Sequence, residues 1–200
     1  MTSAQRRATS ESPSTAVAIL DATLLVIGER GLKGTTTRAI AERAEVNEVT
    51  LFRKFGTKAN LIRAAIEHRF ATARRDFVAY TGAIDADLIR LATNYRDTLE
   101  EFGPAIRAIV TEAPYEPELA GSLQGAQRLY DAIAAMLARY QQEGVLRQEP
   151  AETLVPAFVA PILVPYLTRM AEPLGVPHFV IDPTVHVHRF LSGRSLQSEP

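Results

Sequence analysis

Apolar residues recur every three to four positions along most of this chain, which is the spacing of one face of an α-helix. In the N-terminal region the repeating positions are Val17, Leu20, Leu24 and Ile27. A second series, from Leu119 to Tyr140, alternates steps of four and three as helices in antiparallel bundles do. No segment shows the pattern typical of a strand. The sequence therefore predicts an all-α protein of about nine helices.

Glycine and proline predict where these helices end. The first helix is expected to begin at Ser12-Pro13 and to stop at Gly31, and the fourth to run from Lys58 to about Tyr80. The Gly103-Pro104 pair is expected to end the fifth helix and to leave a short sixth over about 105–113. The last three helices are predicted over about 119–143, 151–171 and 182–192.

Two very short helices with clear boundaries lie between residues 35 and 57. Thr36 and Asn47 are good N-caps, because their side chains can accept the free backbone N–H groups of a first turn. Gly56 suits the left-handed conformation that ends a helix, and Thr57 can cap the next one. A helix-turn-helix has this form, with its second helix in the major groove of DNA.

The same segment resembles the DNA-binding domain of the tetracycline-repressor (TetR) family of bacterial transcription regulators. The matching positions in the second of the two helices and after it are Thr50, Leu51, Phe52, Phe55, Lys58 and Leu61. Glu45 stands where the family usually has a turn glycine, and a left-handed conformation there would cost roughly 1 kcal/mol more than for glycine. The resemblance and the polar or basic side chains together predict these DNA-contacting residues: Thr36, Arg38, Asn47, Thr50, Phe52, Arg53, Lys54 and Lys58.

The resemblance also implies two functional regions. Residues 1–11 are expected to form a disordered arm, residues 12–57 the three-helix DNA-binding domain, and residues 58–200 a helical domain for ligand binding and dimerisation. The family binds small molecules among its C-terminal helices, and an aromatic-lined pocket with few polar groups is the usual architecture of such sites. The large side chains predicted to line it are Phe77, Tyr95, Phe102, Tyr130, Met136 and Tyr166. Filling of the core is the competing interpretation for each.

The eighth predicted helix carries no charge between Glu152 and Arg169, so it is apolar nearly all round. Such a helix needs cover on nearly every side, and a homodimer provides a second covered face. The residues predicted for that interface are Leu154, Phe158, Ile162, Tyr166 and Phe190. Three prolines in the helix are expected to bend or interrupt it, and the stretch is too short for the roughly twenty residues of a membrane span.

Charge and composition narrow the function further. The net charge is −1, but residues 1–69 hold eleven Lys/Arg against seven Asp/Glu, which places the positive charge on the DNA-binding half. The chain has no cysteine, which fits a reducing cytoplasm. No nucleophile–base set, phosphate loop or metal-ligand spacing is visible, so neither catalysis nor a cofactor or metal is predicted.

The sequence thus predicts a cytoplasmic, dimeric regulator, most simply a repressor, that binds a palindromic operator and responds to an apolar or aromatic molecule. The alternative is a helical small-molecule-binding protein whose helix-turn-helix no longer reads DNA, since Glu45 and Glu48 add negative charge near the groove.

Overall fold

The computed structural model describes residues 14–119, 121–169 and 179–196. The predicted arm over residues 1–11 lies outside these ranges. Eight α-helices form the described fold: α1 Thr15–Gly34, α2 Thr37–Arg43, α3 Glu48–Phe55, α4 Lys58–Phe77, α5 Ile84–Glu112, α6 Gln124–Gln142, α7 Ala151–Thr168 and α8 Pro183–Leu191. Within the described ranges there is no strand, only one isolated bridge between Leu146 and Ser195, so the all-α prediction is confirmed.

The N-terminal unit packs α1–α4 around a small core. Ser14 caps α1 by accepting the N–H of Val17 at 3.4 Å, and the predicted start at Ser12-Pro13 lies outside the described residues. Gly31, at φ +71°, interrupts the helical conformation at the predicted place, and one further turn follows it. Ile19, Ile27 and Ile40 are completely buried in this core. The core extends into α5 through Phe102 and Ala105, so the two halves of the chain share packed surface.

The expected break at Gly103-Pro104 is wrong, because α5 is one helix of 29 residues with Pro104 inside it. Gly103 has no Cβ to clash with the proline ring, which removes part of the steric cost of the helical conformation before a proline. Inward-facing positions also keep one helical phase across the proline, at Leu91, Tyr95, Thr98, Phe102, Ala105 and Ile109. Packing on this continuous face stabilises the helix, so the described fold has eight helices and not nine.

Helix α1 lies close along α5 at a glycine. A Cβ added to Gly28 would lie 3.2 Å from the Pro104 Cβ and 3.2 Å from the Ala105 nitrogen. A little further along, the Glu112 carboxylate accepts the N–H of Leu32 at 3.1 Å. The end of α5 is therefore fastened to the end of α1.

Helix α6 begins later than its apolar repeat indicates. Residues Pro117–Leu119 form a single 3₁₀ turn and α6 starts at Gln124, so the expectation that the helix includes Leu119 is wrong. Gly121, at φ +81°, separates the two and cannot belong to a helix in that conformation. Near the other end of α6, the Tyr140 hydroxyl donates to Asp87 of α5 at 2.5 Å.

Helix α7 is continuous although Pro156, Pro161 and Pro165 all lie inside it. It is the one helix of the described chain that is long and apolar enough to cross a membrane by length and composition alone. One side of it packs against α5 and α8, where His186 of α8 bonds to the Phe158 carbonyl oxygen through Nε2 at 2.8 Å. Burial lowers the pKa of His186.

The five residues predicted for the dimer interface lie in the protomer's own core. Their side chains are at most 7% exposed and pack within the C-terminal cluster: Leu154, Phe158, Ile162, Tyr166 and Phe190. The accessible apolar surface of α7 and α8 belongs to other residues, among them Val164 and Val185, each 47% exposed. The second apolar face foreseen for the helix therefore exists, but on different side chains.

Candidate nucleic-acid interface and interior cavity

Local caps fix the two short helices of the helix-turn-helix. Thr36 Oγ1 accepts the N–H of Ala39 at 3.2 Å, and Asn47 Oδ1 accepts the N–H of Val49 at 2.8 Å. Glu45 adopts a left-handed conformation in the turn, at φ 54°, and is the only non-glycine residue with positive φ among those described. The side chains of Thr36 and Asn47, both predicted to contact DNA, are thus engaged in capping the helices that would present the others.

The outer face of α3 is apolar at its centre. Val49 is 70% exposed and Phe52 is 49% exposed, whereas Leu51 between them is fully buried. Thr50 is half-buried on the same helix. Exposed apolar side chains are unfavourable in water, but they can meet thymine methyl groups in a major groove. The face therefore suits contact with base edges.

Basic side chains follow this apolar centre at the end of α3 and the start of α4. Arg53 and Lys54 at the end of α3, and Lys58 at the start of α4, form no ion pair with any residue of the described ranges. Arg38 differs, because it pairs with Glu42 at 2.9 Å on the surface of α2. Unpaired cations at the edges of a groove-binding helix are available to phosphates, which position a protein on DNA without reading its sequence.

The acidic residue Glu48 is half-buried and is bonded to α2. Its carboxylate accepts a hydrogen bond from the Thr37 hydroxyl, so it joins α2 to α3 across the turn. The negative charge that favoured a non-DNA-binding alternative is therefore partly engaged inside the motif.

A cavity of about 340 Å³ lies between α1, α4, α5, α6 and α7. Its walls are almost entirely aliphatic and aromatic, and Leu24 of α1 contributes to them beside residues of the C-terminal helices. The size and lining are typical of sites for small apolar molecules. Because α1 and α4 both border it, the cavity reaches the N-terminal unit.

Four of the six residues predicted to bind a ligand line this cavity: Phe77, Tyr95, Phe102 and Tyr130. Tyr95 stands edge-on to Phe77 with ring centroids 6.2 Å apart, and burial raises its pKa to about 12. The Tyr130 hydroxyl donates to the Ala151 carbonyl oxygen at 2.9 Å, which ties α6 to the start of α7. These contacts hold the aromatic wall in place.

The other two predicted residues are elsewhere. Met136 is buried in the C-terminal core and Tyr166 packs near Gly103 with its hydroxyl 3.3 Å from Glu100. Sequence reasoning also missed Arg69 and Thr98, which do line the cavity. A signal for Arg69 was present, because it interrupts an otherwise apolar helical stripe: Ile62, Ile66, Arg69, Ala73 and Phe77.

Both halves of this fold are similar to known proteins. Residues 19–65 match the family model for bacterial regulatory proteins of the tetR family, and residues 78–176 match that for a tetracyclin repressor-like C-terminal domain. Taken together, the two matches include α2, α3, α5, α6 and α7, most of α1 and the first two turns of α4.

Individual relatives agree with these matches. The BetI transcriptional regulator of Paraburkholderia phymatum is 32% identical over 131 residues, which are 60% of this chain and 66% of that protein. The KstR transcriptional repressor of Mycolicibacterium smegmatis is 29% identical over 138 residues, which are 67% of this chain and 64% of that protein. The chain thus spans slightly less than two thirds of the length of these two relatives.

A solved structure confirms the fold. A TetR-family regulator from Mesorhizobium loti superposes with a TM-score of 0.68, covering 91% of this chain and 97% of that one at 16% identity. At that identity the likeness concerns the path of the backbone.

Proposed function

This chain is a member of the TetR family of bacterial transcription regulators with an N-terminal helix-turn-helix, and from that premise we propose that it is a repressor released from DNA by a small molecule. It binds a palindromic operator as a homodimer in the cytoplasm. An apolar or aromatic molecule enters the cavity and lowers its affinity for that operator.

The observation that carries the proposal is the outer face of α3. Two exposed apolar residues, Val49 and Phe52, are followed at the end of α3 by Arg53 and Lys54, cations that have no acidic partner among the described residues. Exposed apolar side chains bring no benefit to a helix that only faces water. In a major groove, they can contact thymine methyl groups while the cations contact the phosphates at its edges.

A dimer supports this function because two recognition helices related by two-fold symmetry read the two halves of a palindrome. The accessible apolar side chains of α7 and α8, such as Val164 and Val185, supply a surface for the partner protomer. The residues first predicted for the interface act from inside the protomer by holding these two helices in place.

Coupling between cavity and DNA runs through α4 and α5. Helix α4 follows α3 after only Gly56 and Thr57, and its inner face forms one wall of the cavity. Helix α5 forms another wall and ends at Glu112, which is bonded to α1. A molecule that fits the cavity better in one arrangement of these helices shifts the population toward it and changes the distance between recognition helices.

The alternative function is a small-molecule-binding protein that no longer reads DNA. The exposed Glu45 beside α3 supports it, since a carboxylate there repels phosphates. Glu48 supports it less, because its carboxylate is bonded to Thr37.

Fluorescence anisotropy with DNA from upstream of the protein's own gene tests the proposal. The full-length protein should bind it with an affinity that falls steeply with salt. Lys58→Ala should weaken binding and reduce the slope of log affinity against log salt by about one per subunit, because one phosphate contact is lost. Arg74→Ala removes an exposed cation from the far end of the same helix and should leave both quantities unchanged.

Thr50→Ala should weaken binding to this DNA more than binding to unrelated DNA of the same length. Absence of any preference for the upstream DNA in the wild-type protein, with a folded structure shown by circular dichroism, would favour the alternative function. An equal salt slope in wild type and Lys58→Ala would remove that lysine from the interface.

A further inference from the structure

Among the described residues that line the cavity, Arg69 of α4 is the one with a charged side chain, and nearly all the others are apolar. It projects from the helix face that elsewhere carries Ile66 and Ala73, both buried. A guanidinium stays protonated in proteins, so its charge cannot be removed by titration. The cavity therefore has a permanent positive charge on α4, the helix that connects it to the DNA-binding unit.

The hydrogen-bonding capacity of this guanidinium is only partly used. Arg69 Nη2 donates to Thr98 Oγ1 at 2.9 Å, and the guanidinium carbon lies 5.1 Å from the centroid of the Phe102 ring. Nε is buried and has no hydrogen-bond partner in the described parts of the chain. No carboxylate within those parts forms an ion pair with Arg69.

Other charges nearby do not complete the site. Asp21 of α1 interacts at longer range with both Arg69 and His68, which lower its pKa against the larger effect of burial, which raises it. This carboxylate reduces the net positive charge near the cavity without taking up the free donor of Arg69. Thr98, 8% exposed, already accepts from Arg69 and can donate its own hydroxyl proton.

We propose that the molecule that fills this cavity is an amphipathic acid, with an apolar body among the aromatic walls and one anionic group bound to Arg69 beside Thr98. This inference rests on the proposed effector cavity and refines the chemistry of its occupant. Arginine binds carboxylates through paired charge-assisted hydrogen bonds, which are strong in apolar surroundings. An uncharged molecule of the same shape would leave the buried Nε without a partner.

The position of Arg69 gives the acid a direct effect on α4. The residue lies eleven positions after Lys58, about three helical turns from the start of the helix. An anion that draws the guanidinium toward the cavity acts on the helix whose first turn follows the recognition helix. The apolar body contributes affinity, and the acid end determines which way α4 moves.

Two fluorescent probes with the same carbon skeleton test the proposal in the full-length protein. Anilinonaphthalene sulfonate carries an anionic group, and phenylnaphthylamine is the uncharged molecule without it. The wild-type protein should bind the sulfonate about tenfold more tightly or better. Decanoate should likewise displace the uncharged probe at lower concentration than decanol, which extends the result to carboxylates.

Arg69→Met keeps the unbranched apolar stem and removes the charge. It should abolish the preference for the sulfonate, while the affinity for the uncharged probe changes by less than about threefold. Arg69→Lys should keep part of the preference, because the charge remains and the planar fork is lost. Arg74→Met, an exposed arginine on the same helix, is the matched control and should leave both affinities unchanged.

The outcomes separate this inference from the function on which it rests. Equal affinity of wild type for both probes, or a preference that survives in a folded Arg69→Met protein, overturns the acid-binding role and leaves an apolar effector cavity intact. Failure of both probes to bind the folded wild-type protein overturns the effector cavity as well. Asp21→Asn supplies an independent check, since removal of the competing carboxylate should strengthen sulfonate binding and a weakening would contradict the proposal.

Discussion

At the scale of single residues, Asp87, which does not line the cavity, shows how a buried charge is stabilised. Its carboxylate accepts from the Thr81 N–H and hydroxyl at 2.7 Å each, from Arg90 at 2.7 Å and from Tyr140 at 2.5 Å. Burial alone would raise the pKa of Asp87, but these donors outweigh it and lower the pKa to about 2. The network joins α5, α6 and the loop after α4.

Asp87→Asn should destabilise the protein. The carboxylate accepts four hydrogen bonds, whereas the amide NH2 group of asparagine can only donate and would face some of these donors without a partner. We expect a loss of about 3 kcal/mol in the free energy of unfolding and a fall in Tm of about 6–12 °C for a chain of this size. Asp85→Asn, an exposed acid two residues earlier in α5, should change Tm by little. A Tm for Asp87→Asn that matches the control would show that the network contributes nothing net.

The same carboxylate gives a pH dependence whose sign is fixed by its lowered pKa. Its contribution is present above the unfolded pKa, near 4, and is lost as pH falls toward the folded value of about 2. Between pH 5 and pH 2 the wild type should therefore lose about 2 kcal/mol that Asp87→Asn does not lose. Urea unfolding at a series of pH values measures this difference.

Residue-scale reasoning from sequence succeeded where the physics is local. The caps at Thr36, Asn47 and Thr57 involve atoms within three residues, and the structure has all of them. Arg69 was missed because its significance depends on what surrounds it. From sequence alone, a charged residue in an apolar stripe is interpreted as lying at the solvent-exposed border of that helix face. Only the packing of helices from distant parts of the chain shows that it is enclosed.

At the scale of elements, the close contact of α4 with α6 sets the shape of the cavity. A Cβ added at Gly125 would lie 2.7 Å from the Phe70 Cβ, and Phe70 lines the cavity. Because the clash is with the base of a side chain and not with its flexible end, one of the two helices has to move.

Gly125→Ala should therefore destabilise the protein even though alanine is the better helix former. Helix propensity favours the change by about 1 kcal/mol, and overpacking opposes it by about 1–3 kcal/mol. Ala135→Gly, at an exposed position of α6, measures the propensity contribution by itself. If Gly125→Ala raises Tm by as much as Ala135→Gly lowers it, the two helices yield freely and the contact is not tight.

The elements also show which sequence signals compete. Gly103-Pro104 is a strong local stop signal, yet the buried face of α5 keeps its phase through it, and packing prevails over the lost hydrogen bond. The prolines of α7 repeat the lesson, since all three lie within a continuous helix. Glycine and proline predict the end of a helix reliably where no buried face continues beyond them. Where a buried face does continue, they are less reliable.

At the scale of the whole molecule, the proposed dimer would form through apolar surface that the protomer leaves open. Val164→Glu should give a folded monomer, because a charge in a dimer interface costs several kcal/mol whereas the same charge on a free surface costs little. Phe158→Glu should instead unfold the protein, since that side chain is 1% exposed inside the protomer.

Sedimentation equilibrium at micromolar concentration distinguishes these cases. Tyr115→Glu is the matched control, since this residue is 83% exposed outside α7 and α8, and it should remain dimeric. A wild-type protein that sediments as a monomer would contradict the proposed assembly.

The whole-molecule organisation was predictable from sequence in part. The helix-turn-helix motif identified the N-terminal unit, and the charge-free α7 indicated a covered surface. The apolar side chains that α7 leaves accessible were not predictable, because choosing between two apolar stripes on one helix requires knowing which stripe the protomer buries. The cavity was harder still, since it is space that five helices leave unfilled.

The close contact between α1 and α5 limits how the DNA-binding helices of one regulator can be joined to the C-terminal domain of another. At Gly28 the two backbones approach so closely that even a methyl group would meet Pro104 and Ala105 at 3.2 Å. A chimera cut after α4 would place a foreign α1 against this α5 and meet that constraint at once. Transplants that keep α1 with its native α5, and exchange only α2 and α3, respect the fit and should yield folded hybrids.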